Sequence, residues 1–169
     1  MLSARSLSTI GAALLLVAAD SPKPEWTSDL SKMKAPDAPV SGKIQGLDFT
    51  MEAVKYEPSS STLSFRQGKN LFPDAEITVF LFLKEDESPE GKIFEMAIDV
   101  PISAHQPHVH IERSFPNKKL PTVLAYSSKY AMKLQLGAKK DGKVPGTIYV
   151  CLPDDDKSFV AGTFSVEVK

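Results

Sequence analysis

Tyr130-Ala131-Met132-Lys133-Leu134-Gln135-Leu136, with the turn and the run that follow it, decides the fold class. Tyr130, Met132, Leu134 and Leu136 alternate with Ala131, Lys133 and Gln135. That is the period of two of a half-buried strand. Lys139-Lys140-Asp141-Gly142 then reads as a hairpin turn, because Asp-Gly supplies the positive φ angles that tight turns between twisted strands need. Val144 to Leu152 returns as the partner strand.

The same grammar extends in both directions. Pro153-Asp154-Asp155-Asp156 turns, and Phe164, Val166 and Val168 alternate with Ser165, Glu167 and Lys169 in a last strand. Gly162 inside that strand predicts a bulge or a close backbone approach. Toward the N-terminus, Gly42 to Asp48 opens a first strand that Phe49 to Glu57 continues or bends. Thr62 to Gln67 alternates. Glu76 to Leu83 is apolar on both faces and reads as a central strand covered on both sides. Ile93 to Val100 alternates, and His108 to Arg113 is a short strand. Ser114 to Ser128, with Pro116 and Pro121, reads as the longest irregular stretch. Eight to nine strands with short turns predict an all-β chain, an antiparallel β-sandwich that is immunoglobulin-like or jelly-roll-like. The predicted core includes Val79, Leu81, Leu134, Ile148, Val150, Phe164 and Val166.

Ahead of the sandwich, residues 1–19 read as a cleaved signal peptide. Arg5 supplies the positive n-region, Ile10 to Ala19 the apolar h-region, and Val17 and Ala19 the small residues before the cut. The apolar run is too short for a resident span, which needs about 20 residues. Residues 20–41 form a Pro-rich leader, either a tether or one short helix docked through Trp26, Leu30 and Met33. Residues 42–169 form the sandwich domain. The expected location is secreted or periplasmic.

The chain holds 20 Lys and Arg against 21 Asp and Glu; loss of Arg5 with the signal peptide leaves 19 against 21. No basic stripe is available for nucleic acid or an anionic membrane. Cys151 is the only cysteine. It excludes an intrachain disulfide and reads as a buried, inert thiol within a strand.

All three histidines fall in His105-Gln106-Pro107-His108-Val109-His110, followed by Ile111-Glu112. Alternate strand residues share a face about 6.6 Å apart, so His108, His110 and Glu112 point one way and Val109 and Ile111 the other. His105, from the preceding turn, completes a candidate metal set of His105, His108, His110 and Glu112, suited to zinc or copper(II). The competing reading is a solvent-facing strand whose polar residues are histidines. Asp154-Asp155-Asp156 reads as a solvated turn, since the spaced ligands of a calcium loop are missing. No Gly-x-Ser-x-Gly elbow, His-Glu-x-x-His or phosphate loop is present, so no catalytic residue is assigned and the chain leans away from an enzyme. Tyr56, Tyr126, Tyr130, Tyr149 and Trp26 are the aromatics available for a glycan. The functional expectation is a binding or structural module for a protein, a glycan or a metal ligand. The alternative is copper or zinc binding at the histidine cluster, and a carbohydrate-binding module or an enzyme is weaker.

Overall fold

A computed structural model describes residues 24–84 and 86–168. The signal-peptide reading of residues 1–19 lies outside them. Among the described residues eleven strands run in chain order: β1 (Ser41–Ile44), β2 (Leu47–Thr50), β3 (Ala53–Glu57), β4 (Thr62–Gln67), β5 (Ala75–Phe80), β6 (Ile93–Met96), β7 (His108–Arg113), β8 (Thr122–Tyr126), β9 (Ala131–Leu136), β10 (Lys143–Cys151) and β11 (Phe159–Glu167). They form two sheets, ordered β2-β1-β11-β10-β9-β6 and β3-β4-β5-β7-β8. Neighbouring strands pair antiparallel in both, and the architecture is a β-sandwich.

Alternation explains the core. Ile44, Phe49, Leu134, Ile148, Val150 and Phe164 face inward from the six-stranded sheet, and Leu63, Phe65, Ile77, Val79, Val109 and Ile111 from the five-stranded one. Phe65 and Phe164 meet edge to face across the gap, with centroids 4.9 Å apart. All seven predicted core residues are buried. The Asp141-Gly142 turn has φ of 51° and 78°, the left-handed pair that its sequence predicts.

The count exceeds the expected eight to nine strands at two places. The stretch read as one bent strand over 42–57 is β1, β2 and β3, because Gln45 and Gly46 both adopt positive φ and reverse the chain between β1 and β2. The stretch read as irregular contains β8. Its Val123 and Ala125 are as apolar as the inward Leu124, so no polar alternation marks it.

The leader is a strap carrying one short helical turn. Asp29 caps a single 3₁₀ turn, Leu30–Lys32, and its carboxylate accepts the Ser31 N–H at 3.0 Å. Trp26, Leu30 and Met33 pack on Ala131, Tyr149, Cys151 and Ala161, the outer face of the six-stranded sheet. Trp26 Nε1–H donates to the Leu152 carbonyl at 2.7 Å. The Thr27 N–H donates to Cys151 Sγ at 3.2 Å, and burial pushes that thiol up to about 11. At Gly162, φ 150°, the strap passes close to the sheet: a Cβ there would lie 2.6 Å from the Val40 Cα.

Candidate functional site

The strap covers the outer face of the six-stranded sheet. Among the described residues no such layer covers the outer face of the five-stranded sheet, and this is where the histidines lie. Strand register sets three rows across it: Thr62, Phe80 and His108; Ser64, Thr78 and His110; Arg66, Glu76 and Glu112. Val109, Ile111 and Arg113 turn inward and are buried, so the predicted face assignment of β7 holds.

Two phenylalanines carry the face. β5 was expected to be covered on both sides. Its inner residues Ile77 and Val79 are buried, but its outer Phe80 is only half-buried. Just beyond the strand, Phe82 is 43% exposed and holds a φ of 52°. A left-handed backbone costs a non-glycine residue about 1–2 kcal/mol, and such outliers gather at functional sites. The Phe82 ring lies on the outer face with Phe80. It meets His108 at a centroid distance of 4.7 Å, edge on. Phe80 meets His110 at 4.5 Å. Each imidazole therefore has its own aromatic neighbour. Burial, and then the neighbouring His108 charge, lower the His110 pKa from its ordinary value.

The entry to β7 is anchored from below. Gln106 is buried; its Oε1 accepts the Ser103 N–H at 3.0 Å, and its amide donates to the Ser127 carbonyl. The fully buried Tyr130 donates its hydroxyl to the Pro107 carbonyl, and burial raises its phenol pKa. These bonds fix where β7 begins and leave His105 exposed in the loop before it.

Glu112 lies at the other end of β7. Burial and the facing Glu76 carboxylate raise its pKa, against the opposing pull of Arg66. Arg66 Nη1 lies 3.9 Å from Glu76. Beside the aromatic rows, the outer face dips into a hollow of about 400 Å³ lined by Lys55, Glu57, Thr62, Ser64, Arg66 and Glu76. A second cleft, of about 470 Å³, opens between β3 and β11 along Lys55, Tyr56, Lys143 and Glu167.

Of the expected metal set, the fold brings His108 and His110 onto one face and keeps Glu112 on it. His105 stands apart in its loop. Among the described residues, no three His, Cys, Asp or Glu side chains group so as to hold a metal ion. Tyr56, Tyr130 and Tyr149 are buried. Trp26 is engaged by the strap, with Lys157 5.5 Å above its ring. Tyr126 is half-buried. Other aromatics reach solvent, Phe72 among them, but Phe80 and Phe82 are the ones packed against the histidines, on a strand that reads in sequence as covered on both sides.

Arg113 was not singled out by its sequence. It is 8% exposed and crosses to the other sheet, where Nη1 donates to the Asp48 carbonyl at 3.0 Å. Burial lowers its pKa, opposed by Asp74 and Asp48. Its position at an inward site of β7, after Val109 and Ile111, was the available signal. No helix among the described residues is long and apolar enough to cross a membrane. No protein-family model matches the chain, no curated protein matches it, and no solved structure matches it.

Proposed function

We propose that this chain is an extracytoplasmic binding module, built on an immunoglobulin-like or jelly-roll-like sandwich and exported by residues 1–19. Its recognition surface is the outer face of the five-stranded sheet. One observation carries the reading. Phe82 is held exposed in a left-handed backbone conformation against His108, beside the Phe80–His110 pair. A sheet face that serves only as a solvated wall has no use for two half-exposed phenylalanines and a strained turn. A recognition surface has: rigid aromatic area beside a polar hollow supplies contact and orientation together.

A photo-crosslinking amino acid at position 82, with a control at Gln135 on the opposite sheet, tests the surface in extract from the source. The expected result is one adduct of defined mass from position 82, lost when His108 and His110 are both replaced by Ala. Equal labelling from both positions, or none from position 82, contradicts the reading. Export is tested on the native protein, whose N-terminus should lie at or near Asp20; intact protein beginning at Met1 contradicts it.

A second reading is favoured by the spacing of His108 and His110 on one strand face. Two imidazoles about 6.6 Å apart along a strand reach a shared copper(II) or zinc ion, with water completing the shell. Calorimetric titration of either metal near neutral pH should then saturate at about one equivalent and weaken as pH falls, because imidazole must be neutral to ligate. No heat from either metal contradicts this second reading and leaves the first standing.

A further inference from the structure

His108 opens β7 on the outer face, and Arg113 closes it, turned inward. Arg113 is 8% exposed, and no Asp or Glu among the described residues lies within ion-pair distance of it. Its Nη1 donates to the carbonyls of Leu47 and Asp48, at 3.4 and 3.0 Å. The Nε–Nη2 edge has no partner among the described residues, and Nε is buried. That edge can grip a carboxylate or a phosphate with two parallel hydrogen bonds. A guanidinium taken out of water without a counter-ion is costly. Asp74 and Asp48 favour its charge from farther off, and neither occupies the edge.

Three connections meet at this end of the sandwich. Ser114 ties the β7–β8 loop to the β4–β5 loop: its N–H donates to the Asp74 carbonyl at 3.0 Å and its hydroxyl to the Pro73 carbonyl at 2.7 Å. The Gln45 amide ties the β1–β2 turn to the Thr122 carbonyl at 3.4 Å. Leu71 is 88% exposed here, and Leu47, Phe72 and Leu120 are exposed with it. Leu71 does not hang loose. Arg66 clamps its loop, donating to the carbonyls of Gly68, Asn70 and Leu71. Scattered apolar residues on a surface are ordinary, but apolar tips gathered at one end mark a contact. Acids share this end. Asp48 and Asp74 are exposed, and Asp156 packs beside Gly46.

We propose that this end of the sandwich docks on a lipid surface of zwitterionic phospholipid. The apolar tips enter the interface, a headgroup phosphate takes the Nε–Nη2 edge of Arg113, and the headgroup ammonium faces the aspartates. Charge of both signs at one end fits a headgroup that carries both. An anionic bilayer would meet those aspartates on a chain of net charge −1. A free anion would leave the leucines and the phenylalanine in water.

Co-sedimentation of the protein with phosphatidylcholine vesicles tests this. The expected result is saturable binding. Leu71→Asn with Phe72→Asn, exposed changes that spare the core, should weaken it about tenfold or more. Vesicles of a galactolipid, neutral and free of phosphate, should bind about tenfold less well. Arg113→Lys keeps the charge, loses the fork and should erase that preference. Thermal melting shows that each variant is folded, and the comparison of the two lipids needs no variant. No binding to phosphatidylcholine overturns the proposal. Equal binding to the galactolipid, tighter binding to phosphatidylglycerol, or indifference to the Leu71 and Phe72 changes overturns it equally. So does a folded Arg113→Lys protein that keeps the preference for phosphatidylcholine.

Discussion

Phe80 pairs in register with His108, yet its ring packs against His110, diagonally across the strands at 4.5 Å between centroids. Phe82, from beyond the strand end, takes the place beside His108. Diagonal contacts of this kind are within reach of aromatic side chains on a sheet. The consequence is a pair of imidazoles held by packing at a face that no other layer of the described residues covers. Placement of this kind is what a recognition surface needs before its ligand arrives.

The first prediction concerns pH and stability. Burial lowers the His110 pKa in the folded chain, so the unfolded chain binds that proton more readily. Stability is then fully present above about pH 6.5, the unfolded value, and is lost as pH falls through the lowered folded value. Denaturant melts from about pH 7.5 to about pH 5 should show a smaller loss for His110→Gln than for wild type. Equal losses would show that His110 does not contribute to the acid side of the profile.

The Glu112 carboxyl runs the opposite way. Its folded pKa is raised by burial and by Glu76, so its ionised form opposes folding at neutral pH. Glu112→Gln should melt at an equal or higher temperature than wild type near pH 7, with the difference vanishing as pH falls through the carboxylate range. A clearly lower melting temperature would mean that Glu112 is held by a favourable contact.

Leu81 is 2% exposed beneath this same segment, and its N–H donates to the Ser61 carbonyl at 2.8 Å. Leu81→Ala should cost about 2–5 kcal/mol by urea unfolding, as buried leucine truncations do. A loss under about 1 kcal/mol would place Leu81 outside the packed core.

The strap predicts the behaviour of Cys151. Buried at 1% exposure with its thiol pushed up to about 11, it should react slowly with a disulfide reagent near pH 8. A chain lacking residues 1–35 should react about tenfold faster or more, since Trp26, Thr27 and Met33 are then gone. Unchanged reactivity would mean that β10 buries the thiol without the strap.

The sandwich was legible because its strands alternate. Met132, Leu134 and Leu136 share the period of two of a half-buried strand, and the Asp141-Gly142 turn fixed their hairpin. β8 was not legible, because Thr122 to Tyr126 has apolar residues on both faces and two prolines nearby. The face of β7 was legible from Val109 and Ile111. The aromatic half of the candidate site was not. Phe80 and Phe82 read as core because a sequence marks a side chain as apolar and cannot mark a strand face as uncovered. Phe82 also takes a left-handed backbone, which nothing in Leu81-Phe82-Leu83 announces.

The titration of the His110 imidazole by NMR tests most directly whether this face is held by its phenylalanines. The midpoint should lie below about 6.5 in the wild type and move up toward it in Phe80→Ala, which opens the ring to water. A wild-type midpoint at or above about 6.5, or one that Phe80→Ala leaves unmoved, would contradict the account of a preformed imidazole and aromatic surface.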